Sequence, residues 1–94
     1  MTETREARLK RMKMRSWRRG TKEMDLILGP YADERLAKMS PEQLDLFDAL
    51  LEENDQDLYP WASGALPCPD RYLDLLTEIG AFALARHGGP DRQA

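Results

Sequence analysis

Valine is absent from the 94 residues, and isoleucine occurs only at Ile27 and Ile79. Pleated strands favour β-branched side chains, so this poverty argues against sheet. With Leu, Met and Ala supplying most of the apolar side chains, the expected class is all-α, a compact single-domain bundle of about five helices. A lone cysteine, Cys68, excludes an intrachain disulfide and cannot by itself hold a zinc ion, so the fold must rest on packing in a reducing setting. Also missing is any apolar run approaching the roughly 20 residues that span a bilayer, and the N-terminus has no apolar block of the secretory kind. Glu3 and Glu6 interrupt what would otherwise be an acid-poor, Arg-rich leader. These absences lead to the expectation of a soluble, unprocessed protein without membrane insertion, its residues 1–4 and 88–94 flexible at the ends of one domain.

Charge, by contrast, is abundant and unevenly spread. Residues 1–22 carry a formal +7 and residues 23–94 a formal −10, which together make the net −3. Such a split steers an encounter with a charged partner but says nothing of the fold. Leu9 and Met12, continued by Ser16 or by Met14 with Trp17, form a thin apolar stripe among Arg8, Lys10, Arg11, Lys13 and Arg15. This predicts a helix from about Arg5 to Ser16 with a narrow buried face. Its basic face is either simply solvated or open to phosphates, a membrane surface or an acidic protein. The aromatic interleaving of nucleic-acid modules is missing, so nucleic acid is not the expected partner.

Met24, Ile27, Leu28 and Tyr31 recur at helical spacing and predict a second helix, with Gly29-Pro30 expected to break it ahead of a short third one. Ser40-Pro41-Glu42-Gln43 is a start signal, with Ser40 as N-cap, Pro41 in the first turn and Gln43 placed to close a capping box. Leu44, Phe47, Leu50 and Leu51 then face the core. Asn54 or Asp55 caps the next helix, in which Trp61 is expected as a core anchor beside Phe47 and Leu51, and Gly64 stops it. Pro67-Cys68-Pro69 is a connector, and Tyr72 to Arg86 marks a last long helix ended by His87-Gly88-Gly89-Pro90.

Catalytic candidates are few. His87 stands alone near a helix C-terminus, where a positive charge complements the dipole. Cys68 lies between two prolines with no basic neighbour in sequence, which argues against a reactive thiol. The run Glu52 to Asp57 has neither the central glycine nor the terminal glutamate of a calcium loop and reads as a capped, solvated helix junction. Nucleotide cradles of the P-loop or G-x-G-x-x-G kind are absent. No catalytic residue, no metal site and no stably bound cofactor is expected.

What stands out is the sign change at Arg18-Arg19-Gly20-Thr21-Lys22-Glu23-Met24-Asp25. Arg18 and Arg19 complement the end of the first helix, and Glu23 and Asp25 the start of the second. Arg19 and Lys22, however, also crowd the positive start of that second helix, a local conflict of the kind that marks functional sites. Gly20 would let a partner's backbone come close, with Arg19 offering donors and Glu23 an acceptor beside it.

Those residues carry a resemblance. Arg19-Gly20-Thr21-Lys22-Glu23 matches the Arg-Gly-x-x-Glu motif of the small succinate dehydrogenase assembly factors, the flavinator family. The likeness continues through Met24-Asp25, the Leu44 to Glu52 helix and Asp57-Leu58-Tyr59-x-Trp61, and covers roughly Arg15 to Pro69. Tyr31 stands where the family commonly has Phe. The resemblance implies an assembly chaperone, monomeric when free, that binds the flavoprotein subunit of succinate dehydrogenase or of a fumarate reductase and promotes its covalent flavinylation. FAD would be the cofactor of that client, whose own histidine attacks the flavin methyl group while the factor holds the arrangement. Arg19, Gly20 and Glu23 would contact the client, with Asp25 and Tyr59 as further contacts. The short N-terminus leads to the expectation of a bacterial cytoplasmic protein. The alternatives are a basic-helix nucleic-acid binder and an antitoxin-like regulator.

Overall fold

A computed structural model describes residues 3–87, and within them every regular element is helical. The order is α1 (Arg5–Trp17), α2 (Lys22–Arg35), a 3-10 turn (Leu36–Lys38), α3 (Pro41–Leu51), α4 (Asp55–Ser63), a second 3-10 turn (Asp70–Tyr72) and α5 (Leu73–His87). Five α-helices were expected in kind, though not all with these limits. The Gly88 to Pro90 stop and the looseness of residues 88–94 fall outside the described residues, as does the side chain of His87. Glu3 and Thr4, expected to be loose, are engaged: Thr4 caps α1 by accepting from the Ala7 amide at 3.0 Å, and Glu3 pairs with Arg11 at 2.8 Å.

The expected break at Gly29-Pro30 does not occur. Proline inside a helix costs about 3 kcal/mol, yet Leu28, Tyr31 and Ala32 are all buried on the same segment. Burying a large apolar side chain contributes about 1.5 to 3 kcal/mol each, so packing outweighs the local penalty. Gly29 has a packing role of its own. A Cβ there would collide with the Trp17 indole, so the missing side chain lets the end of α1 lie on α2. The helix changes only at Leu36–Lys38, where Arg5 donates to the carbonyls of Ala37 and Met39 at 3.2 and 3.0 Å.

α3 starts on the predicted capping box: Ser40 Oγ accepts from the Gln43 amide at 3.2 Å and Gln43 Oε1 accepts from the Ser40 amide at 2.8 Å. The core gathers Met12 from α1, Met24, Leu28 and Tyr31 from α2, Leu44, Phe47, Leu50 and Leu51 from α3, Leu58 from α4, and Tyr72, Leu76 and Ile79 from the C-terminal segment. Tyr31 is its aromatic hub, 5.8 Å from Phe47 and edge-on to Phe82 at 5.6 Å between ring centroids. Trp61 is not the buried anchor expected of it. It is half-buried, packed on the core from outside and tilted against Tyr72 at 6.1 Å. Gly64 ends α4 in the left-handed region at φ 84°, as a C-terminal glycine should.

The basic face of α1 is matched to α3. Arg8 pairs with Asp45 at 2.7 Å, Arg11 with Asp48 at 2.8 Å and Arg15 with Glu52 at 2.6 Å. The two series advance by three and then four residues together, so α1 and α3 run in the same direction with their charged rows in register. Much of the N-terminal positive charge is therefore compensated within the molecule. Among the described residues no helix is long and apolar enough to cross a membrane.

Candidate docking site at the Arg-Gly junction

The row of arginines on α1 continues past its end to Arg19, and there the site begins. Arg18 to Thr21 form the turn between α1 and α2, and Thr21 caps α2 by accepting from the Met24 amide at 3.3 Å. Arg19 turns back across α3 and α4. Its Nε donates to Asp55 Oδ1 at 2.9 Å, Nη1 to the Leu51 carbonyl at 2.7 Å and Nη2 to the Glu53 carbonyl at 2.8 Å. Those carbonyls lie at and just beyond the end of α3, where helical acceptors lack partners. The Arg19 side chain is only 9% exposed and its Asp55 partner 16%.

Asp55 carries a second bond. Its Oδ2 accepts from the Gly20 amide at 2.5 Å, and Asp25 Oδ1 accepts from the Arg19 amide at 2.6 Å. Two carboxylates thus hold two consecutive amides of the turn, one from α2 and one from α4. The Arg19 half of the conflict inferred at the start of α2 is resolved by this geometry, because its charge is turned onto Asp55 and away from the helix end, whereas Lys22 stays exposed at the first position of α2. The Glu52 to Asp57 run is likewise no simply solvated junction: Glu52 pairs with Arg15, Asp55 with Arg19, and Glu53 Oε2 accepts from the Tyr72 hydroxyl at 2.9 Å.

What faces outward is different in character. Glu23 is exposed in the first turn of α2 and makes no hydrogen bond or ion pair among the described residues. It lines a groove of about 380 Å³ with Thr21, Asp55, Gln56, Tyr59 and Pro60. Tyr59 is 46% exposed and forms the wall shared with a wider apolar cleft of about 930 Å³ between α4, the 64–68 connector and α5. The structure therefore brings Arg19, Gly20, Glu23, Asp25 and Tyr59 to one end of the bundle. It also divides them, with Arg19 and Asp25 turned inward to hold the turn and Glu23 and Tyr59 turned to solvent. Asp55, read from sequence only as a helix cap, joins the two groups. The signal that would have found it is a carboxylate in a first helical turn with a compensating arginine upstream.

The groove presents a carboxylate and an aromatic hydroxyl to whatever enters it. No nucleophile and base are paired there, and no cluster of His, Cys, Asp and Glu among the described residues could hold a metal. Comparison with known proteins then decides the family. The family model described as flavinator of succinate dehydrogenase matches residues 10–83. The chain belongs to that family.

Relatives of this flavinator chain are named "Succinate dehydrogenase assembly factor 2, mitochondrial". The one from Meyerozyma guilliermondii is 43% identical over 75 residues, covering 77% of this chain and 56% of its own length. That from Mycosarcoma maydis is 33% identical over 95 residues, covering 99% and 40% respectively. The Kluyveromyces lactis protein is 40% identical over 78 residues, covering 78% and 48%. The chain thus spans about half the length of these relatives. Each is named as mitochondrial, which overturns the expectation of a bacterial cytoplasmic protein drawn from the short N-terminus.

Proposed function

We propose that this flavinator chain is an assembly chaperone that docks on the flavoprotein subunit of succinate dehydrogenase and promotes covalent attachment of FAD to it, in a mitochondrial setting inferred from the names of its relatives. The observation that carries the reading at this site is Glu23, an exposed carboxylate without a partner among the described residues, sharing a groove with the half-exposed ring of Tyr59 at the start of a helix whose preceding turn is held by Asp25 and Asp55. A pre-ordered polar and aromatic pair is what a docking surface needs, because little order has to be imposed on binding. FAD belongs to the client, and the chain contributes positioning rather than a nucleophile. Holding reacting groups in one arrangement can lower a barrier by several kcal/mol, on the order of 7 to 11 in the best intramolecular cases, so positioning alone is enough for acceleration.

The alternative of a nucleic-acid-binding basic helix is disfavoured by the pairing of Arg8, Arg11 and Arg15 with α3. A phosphate backbone would have to displace those carboxylates. The test is to express the flavoprotein subunit with and without this chain under limiting FAD and to read flavin fluorescence in the denatured subunit. More covalent flavin with the chain present supports the proposal, and equal flavin in both rejects it.

A further inference from the structure

The Arg-Gly turn could owe its glycine to the partner, whose backbone would need room, or to something inside the molecule. Gly20 has no unusual backbone torsion: the one glycine at positive φ among the described residues is Gly64. Gly20 is exposed, so core packing does not demand it either. The atom that a Cβ at Gly20 would meet is Asp55 Oδ2, at 3.0 Å. That oxygen is the one that accepts from the Gly20 amide.

We propose that Asp55 is a positioning residue for the docking groove, and that Gly20 is glycine so that the Asp55 carboxylate can reach the turn. The carboxylate lies between Arg19 Nε and the Gly20 amide, with one oxygen on each. It sits at the first position of α4, one helical turn before Tyr59 on the same helix, while the turn it grips leads directly into Thr21 and Glu23. Beside the core packing of α2 on α4, Asp55 therefore ties the turn that leads into Glu23 to the helix carrying Tyr59, and it forms part of the wall between them. A methyl group on Gly20 leaves Oδ2 a contact tighter than side chains ordinarily tolerate, so the carboxylate must retreat. The hydrogen bond to the Gly20 amide lengthens, and the spacing of Glu23 and Tyr59 is held less tightly. The client-facing consequence rests on the proposed function, whereas the bond between Asp55 and the turn is a property of the free protein.

A double-mutant cycle separates the two roles of Gly20. The variants are Gly20→Ala, Asp55→Ala and both together, each measured for thermal unfolding of the free chain and for covalent flavin on the co-expressed subunit. Expected is that Gly20→Ala lowers the midpoint by about 4 to 8 °C and the flavin yield at least three-fold. In the Asp55→Ala background the same substitution should change the midpoint by less than about 2 °C and the yield by less than about 1.5-fold, because the oxygen it disturbs is gone. An equal loss from Gly20→Ala with and without Asp55 overturns the proposal, and if that loss is confined to flavin yield while the midpoint stays put, the glycine serves the partner. Wild-type behaviour of Asp55→Ala in both measurements overturns it as well. Should Asp55→Ala not fold, Asp55→Ser, which shortens the side chain and suits a helix start, carries the same expectations. A further readout is the Gly20 amide proton in a nitrogen-correlated NMR spectrum, expected downfield in the wild type and shifted upfield in Asp55→Ser; no shift counts against the bond. If the wild-type chain raises no flavin at all, the functional proposal fails, while the melting and NMR arms still decide this one.

Discussion

The Arg19 guanidinium donates to the Leu51 carbonyl at 2.7 Å, so the last turn of α3 is capped by a side chain from 32 residues upstream. The most conspicuous charge of the Arg-Gly motif is thereby an internal fastener. Removing it leaves the Asp55 carboxylate with the Gly20 amide alone, the Leu51 carbonyl with Arg15 alone, and the Glu53 carbonyl without its side-chain donor, in a largely covered site. Arg19→Ala should cost about 2 to 4 kcal/mol in chemical denaturation. Arg19→Lys should recover little of that, because an ammonium cannot serve three diverging acceptors from one planar fork. Full stability in Arg19→Ala would show that the guanidinium is held for another purpose.

Gly29→Ala tests the close approach of α1 to α2. Replacing glycine by alanine in a helix ordinarily gains up to about 1 kcal/mol, but here the new methyl meets the Trp17 indole and the clash decides the sign. The indole must swing out and give up its 3.1 Å hydrogen bond from Nε1 to Asp33. A net loss of about 1 kcal/mol is expected, with a red-shifted Trp17 emission when Trp61 is replaced by Phe in both proteins. A stabilised variant with unchanged emission would refute the contact.

Tyr31 and Asp48 set opposite ends of the pH profile. Burial, reinforced by the hydrogen bond to Glu78, pushes the Tyr31 hydroxyl well above the usual tyrosine range. The folded state therefore favours the protonated form, and stability is complete below about pH 10 and falls as the pH rises further. Tyr31→Phe should cost no more than about 1 kcal/mol at neutral pH, since Glu78 keeps Arg35 and water, and should flatten the alkaline limb. At the other end the bidentate Arg11 bond, though opposed by desolvation, holds the Asp48 carboxyl below the usual carboxylate range. Its contribution is present above about pH 4 and is lost as the pH falls through the lowered value. Asp48→Asn should flatten the acid limb and leave the alkaline one alone, as read by thermal midpoints across the range.

The amino-acid sequence carries the local part of this architecture and hides the tertiary part. Helix limits followed from local signals wherever the signal was local, as with the Ser40-Gln43 box and Gly64. Pro30 misled because its penalty is local while the compensation, burial of Leu28 and Tyr31 against other helices, is tertiary. Trp61 misled in the other direction, since size alone does not say which side of a helix meets the core. The charge split was visible, but its purpose was not. The register of Arg8, Arg11 and Arg15 with Asp45, Asp48 and Glu52 exists only once α1 and α3 lie alongside each other. The same holds for Arg19, whose partners at Leu51, Glu53 and Asp55 are remote in sequence.

Glu23 is proposed to serve the client and not the fold. The most direct measurement compares wild type with Glu23→Ala at matched concentration, following covalent flavin on the purified flavoprotein subunit over time together with the melting curve of each chain. Glu23 is exposed and has no partner among the described residues, so the midpoint should move by no more than about 2 °C, while the rate of flavin attachment should fall at least ten-fold. An unchanged rate, or a lost rate accompanied by unfolding, would contradict the account.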